Sequence, residues 1–233
     1  MSAPASAPAG FWPRYAAWSL DAAAVAAATS VIGAGQWLAL AESARRAYAA
    51  MAARTAEVMA DSVLDDLSFG GFAQRLLADP ALHAAATTTV TALTALVFGW
   101  MLAFALLGAV YELGFVLSPW QATPGKRALG LRVTGMDGQA LGLGRIALRY
   151  FGGGLSWLSL NIGHLLAMAK PEHRALHDRL AGARVVRDGD ARMPLWGWAW
   201  VLLQLSATLF AMVRLFGAMQ ATMDAAVYQA GGL

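Results

Sequence analysis

The chain contains no cysteine, which excludes disulfide bridges, thiolate chemistry and Cys-ligated metals while leaving metals held by His and carboxylates open. Charge is scarce too: Asp, Glu, Lys and Arg make up 13% of 233 residues, roughly half the share of an ordinary soluble domain. Residues 1–10 carry no charge and lack the basic start of a secretory leader. They read as an Ala/Pro/Ser-rich disordered tail, so the first apolar segment is expected to stay in the mature protein. A nucleotide-binding loop is also missing. Thr123-Pro124-Gly125-Lys126 resembles one, but Trp120 stands where its first Gly belongs and Arg127 where its Ser or Thr belongs. A Pro-Gly turn explains those residues. No nucleophile–base pair is recognisable, so no enzymatic activity and no cofactor are expected.

What remains is apolar and arranged in blocks. Hydrophobic residues make up 58% of the chain and mean hydropathy is +0.52. Residues 15–40, 90–111, 146–169 and 195–215 each approach or exceed the roughly 20 residues that a spanning helix requires. The fold class is therefore an all-α membrane protein, a helical bundle of three to four transmembrane helices. Orientation follows from the cations, which are retained on the cytoplasmic side. Arg14 precedes the first segment; Lys126, Arg127, Arg132, Arg145 and Arg149 follow the second; Lys170, Arg174, Arg179, Arg184, Arg187 and Arg192 follow the third. The 42–83 connection instead sets Arg45, Arg46, Arg54 and Arg75 against a larger number of acids and reads as external. The N-terminus is then inside. This distribution accounts for a pI near 9.6 without nucleic acid.

A fully spanning third segment would place the last cluster of cations outside. One resolution makes 146–169 a broken or re-entrant element, interrupted at Gly152-Gly153-Gly154, because Arg149, Asn161 and His164 are poor residues to show to lipid. The other keeps four spans and breaks the charge rule. The expected organisation is a tail (1–10), a membrane domain (11–186) with an external insertion of two amphipathic helices (42–86), a linker (187–194), a further spanning helix (195–217) and a C-terminal tail (218–233). The insertion is either a solvated cover or a substrate-capturing cap.

Asp21 is the residue most in need of explanation, because an ionisable group inside a spanning segment is costly and usually functional. Arg14, Trp18 and Asp21 share a helix face, but the rise of about 10 Å between Arg14 and Asp21 is too long for a good pair. Each needs a partner from elsewhere. Glu112, at the end of the second segment, either pairs with Arg14 or reaches water. After Pro119 the pattern turns strand-like: Leu129, Leu131 and Val133 alternate, and Asp137-Gly138 reads as a hairpin turn before Leu141, giving a small cytoplasmic β element. Lys126–Thr134 resembles Asp178–Val186, matching at Arg127/Arg179, Gly130/Gly182, Arg132/Arg184 and Val133/Val185. These are either two related strands that pair or a chance similarity. Glu172, His173, His177 and Asp178 have a spacing that could bind metal on a helix, but solvated or hydrogen-bonded histidines are the simpler reading, and no metal is expected.

Three patterns in order resemble the RDD family of bacterial membrane proteins, named for one Arg and two Asp. They are Phe11-Trp12-Pro13-Arg14 with Asp21, Thr123-Pro124-Gly125-Lys126-Arg127 with Leu129–Val133, and His177–Gly182 with Val185-Val186. The resemblance implies an integral inner-membrane protein and makes Asp178 the second Asp. The long insertion and the last helix depart from the family's common core. Transport has been proposed for the family, with cation/proton antiport linked to some relatives.

The leading expectation is a small-ion or small-solute transporter in which Arg14, Asp21 and Asp178 form one buried polar centre, supported by Glu112, Lys126, Asn161, His164, His177 and Arg179, with Thr123-Pro124-Gly125 as a structural turn. The alternatives are a scaffold or assembly factor in which this network is structural, and lipid or headgroup binding. Expected partners are membrane lipids and cations or protons; the small-residue faces of the first segment suit packing within the chain or a homo-oligomer.

Overall fold

The computed structural model describes residues 7–188 and 192–231. Its elements run β1 (Ala7–Pro8), α1 (Phe11–Ile32), α2 (Ala34–Leu64), α3 (Phe69–Ala78), α4 (Pro80–Leu117), α5 (Pro124–Ala128), β2 (Leu131–Gly135), α6 (Leu143–Leu158), α7 (Ile162–Leu165), α8 (Leu176–Leu180), β3 (Ala183–Arg187) and α9 (Leu195–Gly231). The protein is an all-α membrane protein with a small three-stranded sheet. Of the described helices, α1, α4 and α9 are long and apolar enough to cross a membrane. With 38 residues in α4 and 37 in α9, each runs to about 55 Å, well beyond a hydrocarbon core of about 30 Å.

The chain divides into two compact units. The first comprises residues 1–29 and 103–204 and holds the sheet. Strand order is β1-β3-β2 with both pairings antiparallel. Leu131 and Val133 of β2 and Ala183 and Val185 of β3 are buried, and they pack with Ala16 and Ala17 of α1, Val116 of α4, Ile146 of α6 and Val201 of α9. Alternation of apolar residues thus builds the strands, and the small side chains of α1 let the sheet come close to a spanning helix.

The two similar stretches are two copies of one module. Each is a five-residue helix, a glycine with positive φ (Gly130 at 68°, Gly182 at 57°) and a five-residue strand. Their strands pair with Val133 opposite Val185, the same position in each copy, so the pair has a local two-fold relation. Glycine is required at both turns because a Cβ disfavours the left-handed region.

The second unit comprises residues 30–102 and 205–233. Ala52 and Ala56 of α2 pack with Ala226 of α9, flanked by Met223 and Ala230. Arg54 of α2 holds Asp79, which also accepts from the Leu82 N–H at the start of α4. These donors hold Asp79 down to about 2, Arg54 first.

Several expected boundaries are corrected. Residues 7–10 are not a disordered tail, because β1 pairs with β3 and the Ala9 N–H donates to the Val185 carbonyl at 2.9 Å; residues 1–6 lie outside the described chain. No boundary falls at residue 42: the break is at Gly33, where a side chain would collide with the Trp37 indole, and α2 then runs without interruption to Leu64. The two helices of the insertion, α2 and α3, are separated by the Asp65–Ser68 connection, and Gly70 and Gly71 lie inside α3. Gly152-Gly153-Gly154 lies inside α6, so the third segment breaks later, at Ser159–Asn161, where Leu160 and Asn161 take positive φ. Arg187 belongs to β3 rather than a linker, and the expected C-terminal tail continues α9 to Gly231. Asp137-Gly138 does form a turn, with the Gly135 N–H donating to the Gln139 carbonyl at 2.8 Å, but no strand follows; β2 takes its partner from β3.

Candidate polar centre

Six charged side chains of the first unit form a ladder of alternating sign. Arg14 Nη1 donates to Asp178 Oδ2 at 2.5 Å, and Arg149 Nε donates to Asp178 Oδ1 at 2.9 Å. Arg149 Nη1 continues to Glu112 Oε1 at 2.7 Å, and Lys126 Nζ reaches both Glu112 oxygens at 3.0 and 2.7 Å. Lys126 also donates to Thr123 Oγ1 at 3.3 Å, and the Thr123 hydroxyl donates in turn to Asp21 Oδ2 at 2.5 Å. Asp21 Oδ1 accepts from the Tyr111 hydroxyl at 2.8 Å and the Gly125 N–H at 2.7 Å. Three cations therefore face three carboxylates, and every carboxylate oxygen has a donor.

Local structure explains each placement. Arg14 lies one turn into α1, and its Nε donates to the Ala9 carbonyl, strapping the β1-to-α1 junction. Asp178 is in α8, and its Oδ2 also accepts the Ala175 N–H at the start of that helix. Its side chain is 0% exposed. Burial alone would raise the Asp178 carboxyl, but the guanidiniums of Arg149 and Arg14 outweigh it and hold the group below the ordinary carboxylate range. Asp21 is 7% exposed and meets the start of α5. Close approach there depends on Gly125, because a Cβ would collide with the Ala17 carbonyl oxygen and stand 2.8 Å from the Asp21 carboxylate.

The sequence profile of the RDD family matches residues 8–182, most of the chain and all of the ladder. The chain belongs to the RDD family. Comparison with curated proteins and with solved structures returned no match. Membership together with the three apolar helices makes this a multi-pass membrane protein.

The expected grouping of the RDD triplet is corrected in one respect. Arg14 and Asp178 are bonded, but Asp21 touches neither; it joins them only through Thr123, Lys126, Glu112 and Arg149. The expected Arg14–Glu112 pair does not form, since Lys126 and Arg149 occupy Glu112 and Asp178 takes Arg14. The α4 helix brings Glu112 to the α5 and α6 cations instead. Asn161 stands in the turn after α6, and Arg179 bonds the Arg174 carbonyl at 3.4 Å, so neither joins the ladder. His177 lies beside it, with Nε2 at 3.5 Å from Asp178 Oδ1, and its ring centroid is 5.2 Å from that of His164. Among the described residues, no three of the His, Asp and Glu side chains gather to hold a metal. Arg149 and Tyr111 were missed as site residues. Arg149 had a signal, being a cation in an apolar run, the same criterion that singled out Asp21. Tyr111 had none, because its role depends on the distance between two helices.

Proposed function

We propose that this RDD family protein is a small-ion or small-solute transporter of the bacterial inner membrane, exchanging a cation against a proton at Asp21, and that it performs no covalent chemistry. The observation that carries the reading is the environment of Asp21: a carboxylate inside a spanning helix whose three direct donors, Tyr111, Thr123 and Gly125, are all uncharged. The resting ladder is neutral. Adding a proton at Asp21, or a monovalent cation beside it, brings the ladder to the same charge of plus one in a low-dielectric setting. The two loaded states are therefore electrostatically equivalent, which favours exchange of one for the other.

Orientation with the N-terminus in the cytoplasm is supported by the sheet. Because β1, β2 and β3 are paired, the chain before α1, after α4 and before α9 lies on one side, together with the basic stretches around Lys126 and Arg174. The positive-inside rule assigns that side to the cytoplasm. The segment α6–α8 then returns to the side it left, and this reading turns to lipid the face of α6 on which Leu148, Phe151 and Leu155 are exposed, while Ile146, Arg149 and Ser156 are buried.

The test is flux. Purified protein in liposomes should couple a pH gradient to an added cation, and Asp21→Asn should abolish this while still folding. Equal flux from the Asn variant sinks the role of Asp21. A second reading, a membrane scaffold in which the ladder is a lock, is favoured by the complete pairing of its carboxylates and the full burial of Asp178. That reading expects no flux from folded wild type, with Asp21→Asn lowering only stability.

A further inference from the structure

Where α6, α7 and α8 meet, three buried polar atoms have no hydrogen-bond partner: Nδ1 of His164, Nδ1 of His177 and Oγ of Ser156. The Ser156 hydroxyl and the Leu176 side chain both lie close against Gly163, and His164 and His177 directly follow Gly163 and Leu176. Buried polar groups without partners are rare and call for an occupant.

We infer that His164 and His177 form a two-imidazole site for a divalent transition-metal cation of the Zn²⁺ class. Geometry supports this, since the ring centroids are 5.2 Å apart with planes at 58°. Two imidazoles on one tetrahedral centre, with metal–nitrogen bonds of about 2.0 Å, bring their centroids to a separation of about 5 Å. Metal ligation takes the neutral ring, and both rings are held neutral: burial lowers each, and for His177 burial followed by the Arg149 charge pushes it down to about 3. The other nitrogen of His177 faces Asp178 Oδ1 at 3.5 Å, the outer carboxylate that commonly orients a ligating imidazole. The Arg149 charge that keeps His177 neutral also opposes a bound cation, and it does so only in part because Arg149 is bonded to both Asp178 and Glu112 and Arg14 to Asp178.

Only two protein nitrogens contribute, leaving the remaining positions to solvent. Binding is therefore weak and exchangeable, in contrast to a closed structural site. The site is distinct from Asp21 and stands whether or not Asp21 carries flux.

The test is equilibrium binding by the full chain in nanodiscs, stripped of metal and titrated with Zn²⁺ and with Co²⁺. One equivalent should bind with micromolar affinity, and bound Co²⁺ should give the visible absorption of a four-coordinate ion. His164→Gln and His177→Asn should each weaken binding at least about tenfold, while His83→Gln and His173→Gln leave it unchanged. Absence of binding, as expected if water alone fills the junction, overturns the site. So does binding that survives His164→Gln. Should His177→Asn fail to fold, His164→Gln decides alone, because among the described residues His164 makes no hydrogen bond to a member of the ladder.

Discussion

The α5–β2 and α8–β3 modules share a backbone and differ in chemistry position by position. Lys126 in one corresponds to Asp178 in the other, and both enter the ladder from the third position of a five-residue helix. One copy thus supplies a cation and the other an anion. Gly125 corresponds to His177: the first copy leaves room for the Asp21 carboxylate of a spanning helix, whereas the second fills the space with an imidazole. The helix start of α5 is met by a carboxylate from α1, while that of α8 is met by its own Asp178. A repeated backbone thus supplies the second and the fifth of the six charges of one chain.

The largest expected effect comes from breaking the anionic copy. Asp178→Asn leaves Arg14 and Arg149 buried against a neutral amide and should cost about 3–5 kcal/mol, read as loss of folded protein or a large fall in Tm in detergent. Lys126→Met should cost less, about 1–3 kcal/mol, because Glu112 keeps its bond to Arg149. An equal loss from the two variants would contradict this asymmetry.

Next is the Gly125/His177 contrast. Gly125→Ala drives a methyl against Ala17 and Asp21 and should destabilise by about 1–3 kcal/mol, whereas Gly154→Ala, a helical site with open space, should be neutral or slightly stabilising in the same melts. His177 sharpens the comparison through pH. Its folded value of about 3 lies below the ordinary 6.5, so the unfolded chain binds a proton in that window that the native protein does not. Stability is therefore complete above pH 6.5 and falls as the pH drops towards 3, by up to about 1.4 kcal/mol per unit. The lowered Asp178 carboxyl adds a further loss only below about pH 4. Tm measured from pH 7.5 to 4.5 should decline in wild type and decline less in His177→Asn, where His164 alone remains a lowered imidazole; a flat wild-type curve would contradict a neutral buried imidazole.

The smallest effect belongs to what the copies share. Gly130→Ala and Gly182→Ala each force a Cβ into the left-handed region and should cost about 1–2 kcal/mol, similar in size because the two turns have the same form.

Much of this was legible in the residues. Blocks of apolar residues announced the spanning helices, the repeated Arg-x-x-Gly-x-Arg-Val offered two paired strands as one of two readings, and Asp21 stood out because lipid leaves a lone carboxylate few options. The glycine triplet misled because glycine weakens a helix by less than packing restores: Gly152 is covered by Leu180 and His177 of α8, and α6 runs through it. The tail misled because a strand of two residues, Ala7–Pro8, has no pattern of its own and exists only through β3.

By itself the sequence determined which segments are apolar, where the cations cluster, and that several ionisable groups must be buried; these follow from composition and periodicity, which are local properties. Only the tertiary structure decided that Arg14 meets Asp178 rather than Glu112, that Arg149 joins the two halves of the ladder, and that Asp21 is reached through a threonine. Pairing among buried charges depends on distances set by how helices and strands pack, and one residue type can satisfy any of several partners until that packing selects one.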